Sequence, residues 1–175
     1  MSVTPTVPTT DFADLVPGLR WRIKLSFARY VAGLPDGRAW LGDGVHANSD
    51  NELIYPLAAV DDDAPEGVTM CFRGDVRYSG HRGLLDVRVA DPWLTFGPDG
   101  GGILSIRNPR DESGERLSFV RLSGITARSA LRETRIRTVT EVRLTAEGAD
   151  VFHGVYQPGE PFDPITVVSR QRSEQ

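Results

Sequence analysis

Apolar and polar residues alternate along most of this chain in short runs, the period of half-buried strands. Trp21, Ile23, Leu25 and Phe27 alternate with Arg22, Lys24 and Ser26. The period then changes: Phe27, Tyr30 and Val31 recur at helical spacing, which predicts a short helix from about Ser26, stopped by Gly33-Leu34-Pro35-Asp36-Gly37. Trp40 to Val45 and Leu53 to Val60, joined by polar Asn48-Ser49-Asp50-Asn51, predict a hairpin with a long connection. Val68, Met70 and Phe72 share one face of a strand that Val76 and Tyr78 continue. Further strands are predicted at Leu85–Val89, Trp93–Phe96, Leu104–Ile106, Leu117–Leu122 and Ile136–Leu144. Thr145 then caps a second short helix running to about Val155.

These short strands and turns describe a β-dominated fold with a little helix: an antiparallel sandwich or a partly open barrel. One helix follows the first strand and another lies near the carboxyl terminus. Residues 1–18 read as a flexible Pro- and Thr-rich lead-in, 19–168 as one domain and 169–175 as a polar tail. Strand edges left open in such a fold point to a homodimer.

Composition removes several function classes. The net charge is −4 and the arginines are scattered singly, so the basic stripe of a nucleic-acid surface is missing. Cys71 is the sole cysteine, which excludes an internal disulfide. No run approaches the roughly 20 apolar residues of a membrane helix, so no membrane partner is expected. The amino terminus lacks a basic segment followed by an apolar one, which leads to the expectation of a cytoplasmic protein. Asp61-Asp62-Asp63-Ala64-Pro65-Glu66-Gly67 reads as a solvated turn.

Candidate chemistry gathers in two places. Gly80-His81-Arg82-Gly83 breaks a strand pattern and aims one imidazole, with glycines on both sides permitting positive φ. Trp40, Tyr55, Met70, Phe72 and Trp93 lie on short strands and supply walls for a large apolar cavity. Ser26, Phe27, Tyr30 and His81 complete the candidate ligand-binding set, and Tyr30, Tyr55 and His81 are its hydrogen-bond donors.

Three ordered segments carry a family resemblance. The first is Leu19 to Val31, with Trp21, Lys24, Ser26-Phe27 and Tyr30; the second is Phe72 to Pro92, with Gly80-His81 and Gly83. The third is Leu144-Thr145-Ala146-Glu147-Gly148-Ala149, followed by Phe152, Tyr156, Gly159 and Asp163-Pro164. Together they resemble the HtaA family, the heme-transport-associated domain of actinobacteria, over about Leu19 to Val168. Arg22 departs from it, since the family commonly has Gly after the Trp. The resemblance implies a β-rich domain with a small helix beside an apolar pocket. It also implies Tyr30 as an axial ligand of heme iron, with His81 hydrogen-bonded to the phenolate.

Two functions stay open. The preferred one is a cofactor-free cyclase, similar in general type to the polyketide cyclases of streptoseomycin- and nargenicin-like pathways. It folds a polyene macrolactone for intramolecular (4+2) or (6+4) cycloaddition, a pericyclic reaction needing no metal, nucleophile or proton shuttle. An apolar cavity that selects one reactive conformer supplies the rate. The hydrophobic small molecule is then its partner, and the expected cofactor is none. The alternative is a cytoplasmic heme carrier or buffer, with Tyr30 as ligand and His81 beside it. Location tips the preference to the cyclase, because a cell-surface heme relay does not operate from the cytoplasm. An interaction module with an unused pocket ranks third.

Overall fold

The alternating runs form antiparallel strands that close on themselves. The computed structural model describes residues 16–170 apart from 64, 66, 131 and 132. The chain begins with β1 (Gly18–Trp21), α1 (Leu25–Ala32), β2 (Arg38–Gly42), β3 (His46–Ala47) and β4 (Leu53–Asp61). It continues through β5 (Val68–Phe72), β6 (Asp75–Gly80), β7 (Leu85–Ala90), β8 (Trp93–Phe96) and β9 (Gly102–Arg107). β10 (Arg116–Ala130), β11 (Thr134–Leu144), α2 (Ala146–Val151) and β12 (Ile165–Arg170) complete it.

β1 pairs with β12 on one side and β4 on the other, Leu19 lying opposite both Val167 and Tyr55. The order β1-β12-β11-β10-β9-β8-β5-β4 is therefore a closed barrel, with β3 added outside β4. The expected β-dominated fold with two short helices is present, and its barrel is closed rather than partly open. The ring itself has no edge, so among the described residues open edges remain only at β3 and at the outer strands β2 and β7 of a second sheet.

Several boundaries differ from the sequence reading. The first strand stops at Trp21, because Ile23 takes a left-handed turn (φ 63°) that swings the chain into α1. The expected hairpin between Trp40 and Val60 survives only at its tip, where His46 and Ala47 pair with Ile54 and Leu53 across the polar connection. β2 instead joins β6 and β7 in a second, three-stranded sheet, with Trp40 opposite Arg77. β12 was not anticipated; Ile165 and Val167 are wholly buried in it, and it takes Ser169 and Arg170 from the expected tail. Most of the lead-in (1–15) and the rest of the tail (171–175) lie outside the described residues.

The two crossings between sheets are clamped together. Val76 and Tyr78 do not continue β5, because Gly74 (φ 144°) redirects the chain into the second sheet. Asp91 (φ 47°) brings it back into the barrel. The Gly74 amide donates to the Asp91 carboxylate at 3.0 Å, and the Asp91 amide donates to the Gly74 carbonyl at 2.8 Å. Arg107 holds the other Asp91 carboxylate oxygen at 2.8 Å, and Arg116 donates to the Asp91 carbonyl. Beside them Arg88 grips the buried Asp75 with two parallel bonds of 2.9 and 2.8 Å.

Side chains fill the barrel. Trp21, Tyr55, Phe72, Met70, Leu94, Leu104 and Ile106 are at most 2% exposed and belong to one core. At one end Trp21, Phe119, Phe152 and Phe162 stack edge to face around α2. The Thr145 hydroxyl caps α2 by accepting the Gly148 amide at 2.9 Å. A Cβ at Gly148 would overlap the Phe119 carbonyl, which explains a glycine inside a helix. The helix ends at Val151, short of Val155, because His153 and Gly154 (φ 54° and 75°) turn the chain back.

Candidate functional site

The helix α1 divides its residues by period. Phe27 and Val31, four apart, enter the core, Phe27 meeting Tyr78 and Phe152 edge-on with ring centroids 5.2 Å away. That anchorage leaves Ser26 and Tyr30, also four apart, on an exposed face, Tyr30 at 51%.

His81 arrives from the other sheet. β6 ends at Gly80 in extended backbone, and His81, Arg82 and Gly83 are then all left-handed (φ 48°, 56° and 87°). Side-chain-bearing residues rarely hold that conformation unless something outside fixes it. Asp36 does so: its carboxylate accepts the His81 amide at 3.1 Å and the Arg82 amide at 2.6 Å. The Arg82 amide is the main reason that the Asp36 carboxyl is held below its ordinary value. Leu34 packs under Gly80, where an added Cβ would lie 2.7 Å from Leu34 Cδ1. The loop expected only to stop α1 is thus the bracket for the imidazole.

The bracket has one result: Tyr30 Oη and His81 Nε2 are 2.5 Å apart, in an exposed hydrogen bond. The phenol donates to a neutral imidazole, or an imidazolium donates to a phenolate; the same contact serves both.

Two large apolar side chains are exposed on segments that pack near α1 and β7. Leu84, next after the turn, is 84% exposed. Val155 is 74% exposed on the segment after α2. That segment is tied to β7 by a 3.1 Å contact of His153 Nε2 with the Asp86 carbonyl. It is tied to α1 by Tyr156, whose ring meets Phe27 edge-on. Lys24 lies over the Tyr156 ring at 5.2 Å and pairs with Glu160 at 3.2 Å.

The other expected site residues lie elsewhere. Tyr55, Met70 and Phe72 belong to the filled barrel interior. Tyr55 donates to the Val89 carbonyl at 3.0 Å, and burial pushes its phenol well up. Trp40 is 54% exposed on β2. Trp93 is partly exposed on β8, with the Arg116 guanidinium 4.0 Å from its ring centroid. Among the described residues, the cavities of about 170, 490 and 810 Å³ that open on the surface do not have Trp40, Tyr55, Met70, Phe72 or Trp93 in their walls. Of the expected set, the structure brings Tyr30 and His81 together, with Ser26 and Phe27 on the same helix. Asp36 was missed; its only sequence signal was a place in a Gly- and Pro-containing loop.

The bracket predicts a pH response. A depressed folded-state value means that the Asp36 contribution is present above its ordinary 3.8 and is lost as pH falls through the lower value. Hydrogen exchange at the His81 and Arg82 amides is expected to accelerate below that point, and in Asp36→Ala at every pH. Equal protection in the variant would remove Asp36 from this role.

A family model described as Htaa matches residues 18–168. Among solved structures, the C-terminal domain of HtaA from Corynebacterium glutamicum superposes with a TM-score of 0.72 at 24% identity, covering 87% of this chain and 94% of that one. A domain-swapped dimer formed by a variant of that domain gives 0.64 at 20% identity, covering 98% and 99%. The heme binding protein HtaB from the same organism gives 0.63 at 21%, covering 86% and 90%. No curated protein sequence matches this chain.

These findings correct the preferred functional reading. The family match and the likeness to HtaA and HtaB overturn the cyclase, its polyketide substrate and the expectation of no cofactor. The physical reason agrees: the aromatic and thioether side chains assigned to a substrate chamber are the packing of the barrel itself.

Proposed function

This chain belongs to the HtaA family, and on that footing we propose that it binds heme on the Tyr30–His81 face, as a carrier or buffer. The observation that carries the reading is the 2.5 Å bond between an exposed phenol on α1 and an imidazole bracketed from the second sheet. The donor set suits the group. Among the described residues, no three His, Cys, Asp or Glu side chains gather as a metal cage. A metal at Tyr30 therefore suits one that brings ligands of its own, and heme does so. Leu84 and Val155 offer exposed apolar contact to a flat macrocycle.

The bound group would supply a ferric Lewis acid to the site. Tyr30 would hold the iron. His81 would orient the phenol oxygen through its hydrogen bond, the supporting role common around metal ligands. Ser26, one turn before Tyr30 on the same exposed face, is a hydroxyl donor for a propionate. Association of two copies belongs to the same proposal; the swapped dimer of a relative's variant supports it, and sedimentation velocity tests it.

Titration with hemin tests the reading. We expect a saturable absorption band at one hemin per chain. His81→Ala is expected to weaken binding by about 10- to 100-fold, the usual cost of removing a ligand's hydrogen-bond partner. Unsaturable hemin uptake, with the same spectrum as hemin in buffer, would sink it.

A further inference from the structure

Leu25, Ala28, Arg29 and Ala32 fall at i, i+3, i+4 and i+7 along α1. This stripe lies between the core face of Phe27 and Val31, against which Ala28 packs, and the flank away from Ser26 and Tyr30. It forms one wall of a cleft of about 490 Å³. Ala39 and Leu41, alternate residues of β2, form the facing wall. Alanines on both walls keep the cleft open, since none reaches beyond its Cβ.

The charge at its mouth has one sign. Arg22, Arg29 and Arg38 line the cleft, and no Asp or Glu does. Arg22 donates to the Asp50 carbonyl at 3.0 Å, which fixes it at the rim. Arg29 and Arg38 are exposed, and their side chains make no hydrogen bond or ion pair with other described residues. Two guanidiniums without a carboxylate beside an apolar slot match a ligand with a charged head and a greasy tail. The planar fork of Arg matches the paired oxygens of a carboxylate.

We propose that this cleft binds a single-chain aliphatic carboxylate, its chain along the alanine walls and its head on Arg29 and Arg38. By the 3.6-residue period the cleft lies on the opposite flank of α1 from Tyr30, so it is independent of the heme reading.

Calorimetric titration of the full chain with decanoate, decyl phosphate, decyltrimethylammonium and acetate tests this. Saturable decanoate binding at one per chain is expected, with none for acetate, which has no tail, or for the cation. The Arg29→Gln/Arg38→Gln double variant is expected to lose about tenfold or more in affinity, the worth of a charge-assisted hydrogen bond. Ala32→Trp, which plugs the slot from an exposed helix end, is expected to abolish binding, while Tyr30→Phe leaves it intact. Equal binding of the cation, or an unchanged double variant, overturns the proposal. Tighter binding of decyl phosphate overturns the carboxylate head. A dimer that Ala32→Trp dissociates, with no decanoate uptake, assigns the cleft to a second copy instead.

Discussion

Tyr30→Phe is expected to abolish the saturable hemin band and to lower affinity by more than the roughly 10- to 100-fold predicted for His81→Ala. The substitution removes one oxygen and leaves the ring. That oxygen is the proposed ligand, whereas His81 acts only through it at 2.5 Å. The ring itself is half exposed, so folding stability should change by no more than about 0.5 kcal/mol. A loss of hemin binding at unchanged melting temperature therefore reports ligation, not collapse. Tyr30→His sharpens the test, since an imidazole at the same place is also an iron ligand. It is expected to restore a saturable band at a shifted position, with the ligand's identity written in the spectrum. If the Phe variant binds hemin with wild-type affinity and spectrum, Tyr30 is not the ligand and the proposed function falls with it.

How much of this was legible in the sequence depends on whether the signal was local. The change of period at Phe27 located α1 within a residue or so. Thr145 announced its cap, and Gly-His-x-Gly announced a strand broken to aim a side chain. Each of these is settled within a few residues of chain. What was not legible is long-range. Alternation shows that β2 and β6 are strands but not which sheet they enter, and the switches at Gly74 and Asp91 are single backbone conformations. A short run such as Ile165 to Val168 becomes a strand because β1 and β11 flank it, not through its own pattern. Met70 and Phe72 read the same whether they line a hollow chamber or fill a solid one. That ambiguity left room for the cyclase reading, which the expected location then favoured. Asp36 and His81 are 45 residues apart, and nothing in the intervening sequence links them.

The sheet switch makes the second large prediction. Gly74→Ala is expected to cost about 3 kcal/mol or more, through two separate penalties. At φ 144° a side-chain-bearing residue is strained, which costs on the order of 1–3 kcal/mol. The new Cβ would also overlap the Val45 Cγ2 methyl and press on the Tyr55 ring at 3.0 Å, an overpacking cost of about 1–3 kcal/mol. Relief by moving the backbone is blocked, because Gly74 and Asp91 exchange two hydrogen bonds while Arg107 and Arg116 pin Asp91. At about 2–4 °C per kcal/mol for a chain of this size, the melting temperature should fall by about 6–12 °C. Gly83→Ala is the matched control. Its φ is 87°, but a Cβ there meets nothing within 4 Å, so it carries the conformational cost alone. Thermal unfolding of both variants should show Gly74→Ala falling well below Gly83→Ala. Equal losses would mean that the crossing has room to relax, and that the clamp at Asp91 is not what joins the sheet carrying His81 to the barrel.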